Sequence, residues 1–150
     1  MFEEALLRAK QFDAEFPLKG TIKGALHGVP IPLKDNIQVK GYDSTNSLIS
    51  RAFLADSFNS PIVDAVIEAG CIPFVKTNVP QTLLSYECSN PLWGATTNPH
   101  NSRFTCGGSS GGEAALIASQ GSIFGIGNDI GGSLRIPAHL FLKTNCWTCK

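Results

Sequence analysis

Two short glycine–serine clusters, CGGSSGG at residues 106–112 and DIGGS at 129–133, constrain this chain more than any other feature. Glycine inside a helix or strand weakens it by roughly 0.5–1 kcal/mol per site, so both clusters read as turns where bare backbone is needed. Between them, EAALIAS is a small-residue helical run ending at Gly121, and Ser122–Gly127 is a short apolar strand. Ser110 followed three residues later by Glu113 matches a capping box at the helix start. One cluster thus opens a helix and the other follows a strand.

The upstream half repeats this alternation. Phe2, Ala5, Leu6, Ala9, Phe12 and Phe16 recur every three or four residues, which predicts an amphipathic helix over 2–15 stopped by Pro17 and Gly20. Val29–Leu33 is apolar, but Pro30 and Pro32 confine it to an edge strand or extended segment. Ser60-Pro61 starts a second helix whose buried face is Ile62, Val63, Val66 and Ile67, with Gly70 as its stop. Cys71–Val75 reads as the next strand, residues 79–86 as a helical turn or two, and Glu87–Gly108 as polar loop. Alternating helices and short strands predict an α/β architecture with a mixed, largely parallel sheet flanked by helices.

Twelve basic and twelve acidic residues give a formal charge of zero, so charge supplies no argument for nucleic acid or an anionic membrane. No run of 18 apolar residues appears, and MFEEALLRAKQF carries acids where a secretory signal carries positive charge. Five cysteines, odd in number and sparse, do not make a disulfide framework and point to a reducing, cytosolic-type compartment. Cys146 and Cys149 have metal- or redox-like spacing in CWTC, but no second pair completes a zinc site, so they read as ordinary thiols and no metal is expected.

The glycine-rich turns fit phosphate binding poorly. CGGSSGG lacks the lysine-serine/threonine ending of a nucleotide loop, and GIGNDIGG has the wrong spacing for a dinucleotide fingerprint. Nucleophilic catalysis fits better, because DIGGS places consecutive small residues, with their N–H groups, just before the hydroxyl of Ser133. A serine nucleophile needs a base. None of His27, His100 and His139 lies in a local pattern that marks it as catalytic. Lys34, in GVPIPLKDNI, has apolar and proline neighbours, and burial would favour the neutral amine that a lysine base requires. The residues alone leave a second reading open, in which Lys34 pairs with Asp35 at the surface.

Taken in order, GVPIPLKDNI, GGSSGG and DIGGSLRIPA resemble the amidase signature family over about residues 20–138. The separations from Lys34 to Ser109 and from Ser109 to Ser133 suit that family's Ser–cis-Ser–Lys triad. The resemblance implies Ser133 as nucleophile, Ser109 as bridging serine after a cis Gly108–Ser109 peptide, and Lys34 as proton acceptor. It implies an oxyanion hole from the N–H groups of Ile130, Gly131, Gly132 and Ser133, with no metal or organic cofactor. YECSNPLWGATTNP together with GGSSGGEAALI looks most like the fatty-acid amide hydrolase branch, with a small-molecule amide as substrate. Leu83, Leu84 and Tyr86 are candidates for an acyl pocket alongside Ser109. The transamidation branch, which acts on charged transfer RNA, finds no nucleic-acid-like feature here.

Two departures from the family pattern stand out: Asn128 occupies a position that is commonly threonine, and the match fails at about His139. The reading is therefore an amino-terminal portion of an amidase domain over 1–138, with a divergent tail over 139–150. Membrane association would come only through segments not in this sequence, and the oligomeric state is open. The rival expectation is a truncated, non-catalytic product that is inert or binds the full-length protein.

Overall fold

The computed structural model describes residues 1–141 and 147–149. Helix α1, Phe2–Lys19, runs four residues beyond the expected stop, with Pro17 inside its last turn. A proline there deletes only one late N–H bond and leaves the earlier turns intact. The helix ends instead at Gly20, whose left-handed φ of 62° lets its N–H reach the Phe16 carbonyl. Ala5 and Phe12 on its buried side pack on Ile72, with Ala9 and Phe74 around them.

Strand β1, Pro30–Lys34, is an interior strand, which corrects the edge placement expected from its prolines. It pairs in parallel along its whole length with β2, Ile72–Thr77, but meets β5, Ile126–Asn128, only at Leu33 opposite Ile126. Pro30 and Pro32 therefore lie where one flank alone is laddered, and a register shift between Ile31 and Pro32 accommodates them. The four-stranded sheet runs β2-β1-β5-β6, with β6 at Trp147–Cys149 pairing parallel to β5. Cys146 lies outside the described residues.

Helix α2, Pro61–Glu68, begins as expected behind Ser60 with Pro61 in its first turn. Its Val63 and Val66 close over Ile31 and Leu33 of β1, together with Ile37, Val39, Cys71 and Ile126. Because side chains alternate along a strand, Lys34 turns away from this core toward the opposite face. That face is covered by helix α3, Gly111–Ala118. The expected capping box does not form: the Ser110 hydroxyl donates to the Asn128 carbonyl instead, and Glu113 points inward to Thr77.

The remaining segments are irregular. Residues 81–83 form a single 3-10 turn in which Thr82 and Leu83 hold positive φ angles of 56° and 64°. The 87–108 stretch is mostly loop, but contains a two-stranded hairpin of β3, Ser89–Asn90, and β4, Gly94–Ala95. Helix α4, Arg135–Phe141, follows the second glycine turn and returns Phe141 to a small cluster with Cys88, Cys106, Ala114 and Ala115.

Candidate active site

Three sequence-distant side chains meet where β1, the start of α3 and the turn after β5 converge. Lys34 is fully buried, and its Nζ lies 2.8 Å from Ser109 Oγ. The Ser109 hydroxyl lies 2.9 Å from Ser133 Oγ. Hydroxyls both donate and accept, so a proton can be passed along this line in either direction. The Lys34 amine also donates to the Asn128 carbonyl at 3.1 Å and to its side-chain oxygen at 2.8 Å. The surface pairing of Lys34 with Asp35 is not what forms. Asp35 turns to Thr45 and the Asn46 N–H, and burial pushes its carboxyl above the usual range despite nearby Lys76.

The glycines explain how the two turns come this close. The peptide between Gly108 and Ser109 is cis. A side chain on Gly108 would strike the backbone of Glu87 and Ser85 at 2.8 Å, and one on Gly112 would strike Asn78 at 2.5 Å. The turns are then tied directly, because the Ser110 N–H donates to the Ser133 carbonyl at 3.0 Å.

The second turn is held from inside by Asp129, a residue that sequence reasoning passed over. Its carboxylate accepts from the N–H groups of Gly132 at 2.7 Å, Leu134 at 3.0 Å and Arg135 at 3.2 Å, and from the Arg135 guanidinium at 2.9 and 3.0 Å. The guanidinium and these N–H groups hold the Asp129 carboxyl well below the usual carboxylate range. The Gly132 N–H is thus engaged by Asp129. Among the described residues, no acceptor takes the N–H of Ile130, Gly131 or Ser133. A side chain on Gly131 would meet no protein atom within 4 Å, so its bareness serves no internal packing.

Ser133 opens into a cavity of about 650 Å³ whose apolar wall is Leu83, Leu84, Tyr86 and Ile130. Leu83 and Leu84 line this cavity together with Ser109 and Ser133. The histidines lie elsewhere: His27 stacks on Phe12 at 4.4 Å, His100 meets the Phe141 ring edge-on at 6.2 Å, and His139 is exposed. Among the described residues no group of His, Cys, Asp or Glu could hold a metal ion. Nor is any helix among them long and apolar enough to cross a membrane.

The Amidase family model matches residues 1–141. The chain is 51% identical over 136 residues to fatty acid amide hydrolase 1 of Caenorhabditis elegans, covering 91% of this chain and 24% of that protein. It is 48% identical over 139 residues to amidase 1 of Gibberella moniliformis, covering 93% of this chain and 27% of that protein. Among solved structures, a fatty acid amide hydrolase superposes with a TM-score of 0.87 at 35% identity, covering 91% of this chain and 24% of the other. A 6-aminohexanoate cyclic dimer hydrolase bound to substrate superposes at 0.81 with 31% identity, covering 92% of this chain and 27% of the other. The chain spans about a quarter of the length of these relatives. The family match over nearly the whole sequence, with the ordered lysine and serine motifs folded onto one site, makes this chain a member of the amidase family.

Proposed function

We propose that these residues perform the acyl-transfer chemistry of an amide hydrolase, with Ser133 as nucleophile, Ser109 as relay and Lys34 as base. The observation that carries this reading is the unbroken line from buried Lys34 Nζ through Ser109 Oγ to Ser133 Oγ, at 2.8 and 2.9 Å, ending at a cavity. A neutral amine has two N–H groups and one lone pair. In the resting arrangement Lys34 Nζ donates to Ser109 and to both Asn128 oxygens, and to accept the Ser109 proton it must present its lone pair there in place of an N–H. Burial favours that neutral form over the ammonium.

In the forward step the Ser133 oxygen bonds to the amide carbon as its proton passes to Ser109, and the Ser109 proton passes to Lys34. The carbonyl oxygen becomes an oxyanion, for which the N–H groups of Ile130, Gly131 and Ser133 are the available donors, while Asp129 keeps the Gly132 N–H and the turn in place. The C–N bond breaks as the proton returns through Ser109 to the departing amine, leaving an acyl ester on Ser133. Water then hydrolyses that ester by the same relay. No step calls for a metal or organic cofactor.

The substrate class is a small-molecule carboxylic amide with an apolar acyl group. Leu83, Leu84, Tyr86 and Ile130 supply the matching wall, and the fatty acid amide hydrolases among the relatives support the same choice. The test is turnover of a fatty-acid amide by an enzyme of family length that carries these residues. Ser133→Ala should abolish it together with fluorophosphonate labelling, and Lys34→Ala should lower it by several orders of magnitude and flatten the acid side of the pH profile. Normal turnover by Ser133→Ala would overturn the assignment.

A further inference from the structure

Glu113 is the other ionisable group sealed beneath this site, and the chemistry above does not use it. It is completely buried on the first turn of α3, four residues after Ser109. One carboxyl oxygen takes the Thr77 hydroxyl at 2.6 Å. Thr77 is the β2 partner of Lys34 in the parallel ladder, so the two side chains stand side by side on one sheet face. The other oxygen, Oε2, has no hydrogen-bond partner among the described residues. It lies against Gly125, where any side-chain carbon would sit 1.9 Å from it, and near Pro32.

A buried carboxylate with one oxygen facing glycine and proline carbon is costly, whereas the neutral acid is tolerated. Burial accordingly pushes the Glu113 carboxyl up to about 8, against the opposing pull of the Thr77 hydroxyl and Lys34. The groups around it narrow the partner to one. From β1 the facing charge is Lys34. On β2, Lys76 turns instead to the carbonyls of Ile37 and Asp43 and to Ser44. On α4, Arg135 is bound by Asp129 and His139 is exposed. Beneath Gly111 lie the thiols of Cys88 and Cys106.

We propose that Glu113 is a positioning residue of the reaction: its buried carboxyl and the Lys34 amine form one coupled proton-holding pair, and Glu113 sets how strongly Lys34 keeps its proton. The proposal rests on Lys34 acting as the base. A carboxylate at 113 would favour the ammonium, and a neutral acid would favour the amine. The pair then titrates in two steps that belong to neither residue alone.

Two measurements on an enzyme of family length test this. The first is independent of amide hydrolysis: the carboxylic-acid C=O band of Glu113, identified by its loss in Glu113→Gln, is titrated by infrared spectroscopy. In Lys34→Ala its midpoint should move to higher pH by about one unit, equivalent to about tenfold in proton affinity. An unmoved midpoint would overturn the pair. The second is the pH dependence of kcat/KM. Glu113→Gln cannot become a carboxylate, so its acid limb should shift to lower pH, giving about tenfold more activity than wild type on that limb. Thr77→Val, which removes the hydrogen bond favouring the carboxylate, should shift the limb the same way by less. A limb unchanged in both variants, or moved upward, would sink the proposal. If Lys34→Ala also left the limb in place, the failure would belong to the assignment of the base.

Discussion

The two sides of Ser133 are built in opposite ways. Behind it, Lys34 and Ser109 are 0% and 1% exposed, and Gly108 and Gly112 press the first turn directly against neighbouring backbone. In front of it, Leu84, Tyr86 and Ile130 are 87%, 68% and 100% exposed, although they form the cavity wall. The hydrogen-bonded line from Lys34 through Ser109 to Ser133 is thus closed off from solvent at its inner end, while among the described residues the apolar wall stands open to it. Side chains of that size lose about 1.5–3 kcal/mol of favourable burial each when left in water. The buried polar side is tightly packed, and the apolar side is not.

The sharpest way to break this contrast is to compare the 150-residue chain alone with an enzyme of family length. An open wall neither excludes water nor holds a substrate in line, so fluorophosphonate labelling and amide turnover by the chain alone should be lower by at least about a thousandfold. Its exposed apolar surface should also make it aggregate during purification. A soluble monomer with a cooperative thermal transition and full labelling at Ser133 would show the wall to be dispensable.

Smaller changes test each side separately. Gly125→Ala forces a methyl group against Glu113 and Pro32 behind the relay, and should cost about 1–3 kcal/mol in denaturant unfolding of the longer enzyme. Leu84→Ser, on the open wall, should leave stability within about 0.5 kcal/mol. It should raise KM for a long-chain amide about tenfold while sparing a short one. Equal stability losses for the two would mean that the wall is as tightly packed as the relay.

The finest test concerns the turn itself. The Asp129 carboxyl is held below its ordinary value by Arg135 and backbone N–H groups, so its stabilisation is complete above the ordinary carboxylate pKa of about 3.9 and fades as pH falls toward the depressed one. Wild type should therefore be more stable than Asp129→Asn at neutral pH by about 1 kcal/mol, with the two converging in strong acid. A constant gap in unfolding midpoints across that range would remove Asp129 from the account.

Local pattern was enough wherever the determinant was local. Pro61 and Gly70 bracketed α2 because a proline in the first turn and a positive-φ glycine after the last act locally, and the ordered motifs around Lys34, Ser109 and Ser133 named side chains that converge. The misreading of Glu113 has a non-local cause. Glu113 satisfied a capping-box spacing, yet its side chain found Thr77 across the sheet, where burial outweighed a local cap. An acid in an otherwise apolar, small-residue helix was the one sequence signal of that inward turn. Asp129 looked like part of a glycine turn because its three partner residues, only three to six positions ahead, are aimed at it by the detailed path of that turn and not by a recognisable spacing.

What the sequence determined by itself is the alternation of helix and strand, the positions of the two bare turns and the membership of the family. Each follows from spacing and from the steric freedom of glycine. Only the tertiary structure decided that a proline-bearing strand sits inside the sheet, since that depends on how little of its second flank β5 covers. Tertiary structure also decided that Lys34 meets Ser109 rather than Asp35. Alternation along β1 points Lys34 away from the Leu33 side, and only packing says that this face receives α3 and the serine just before it.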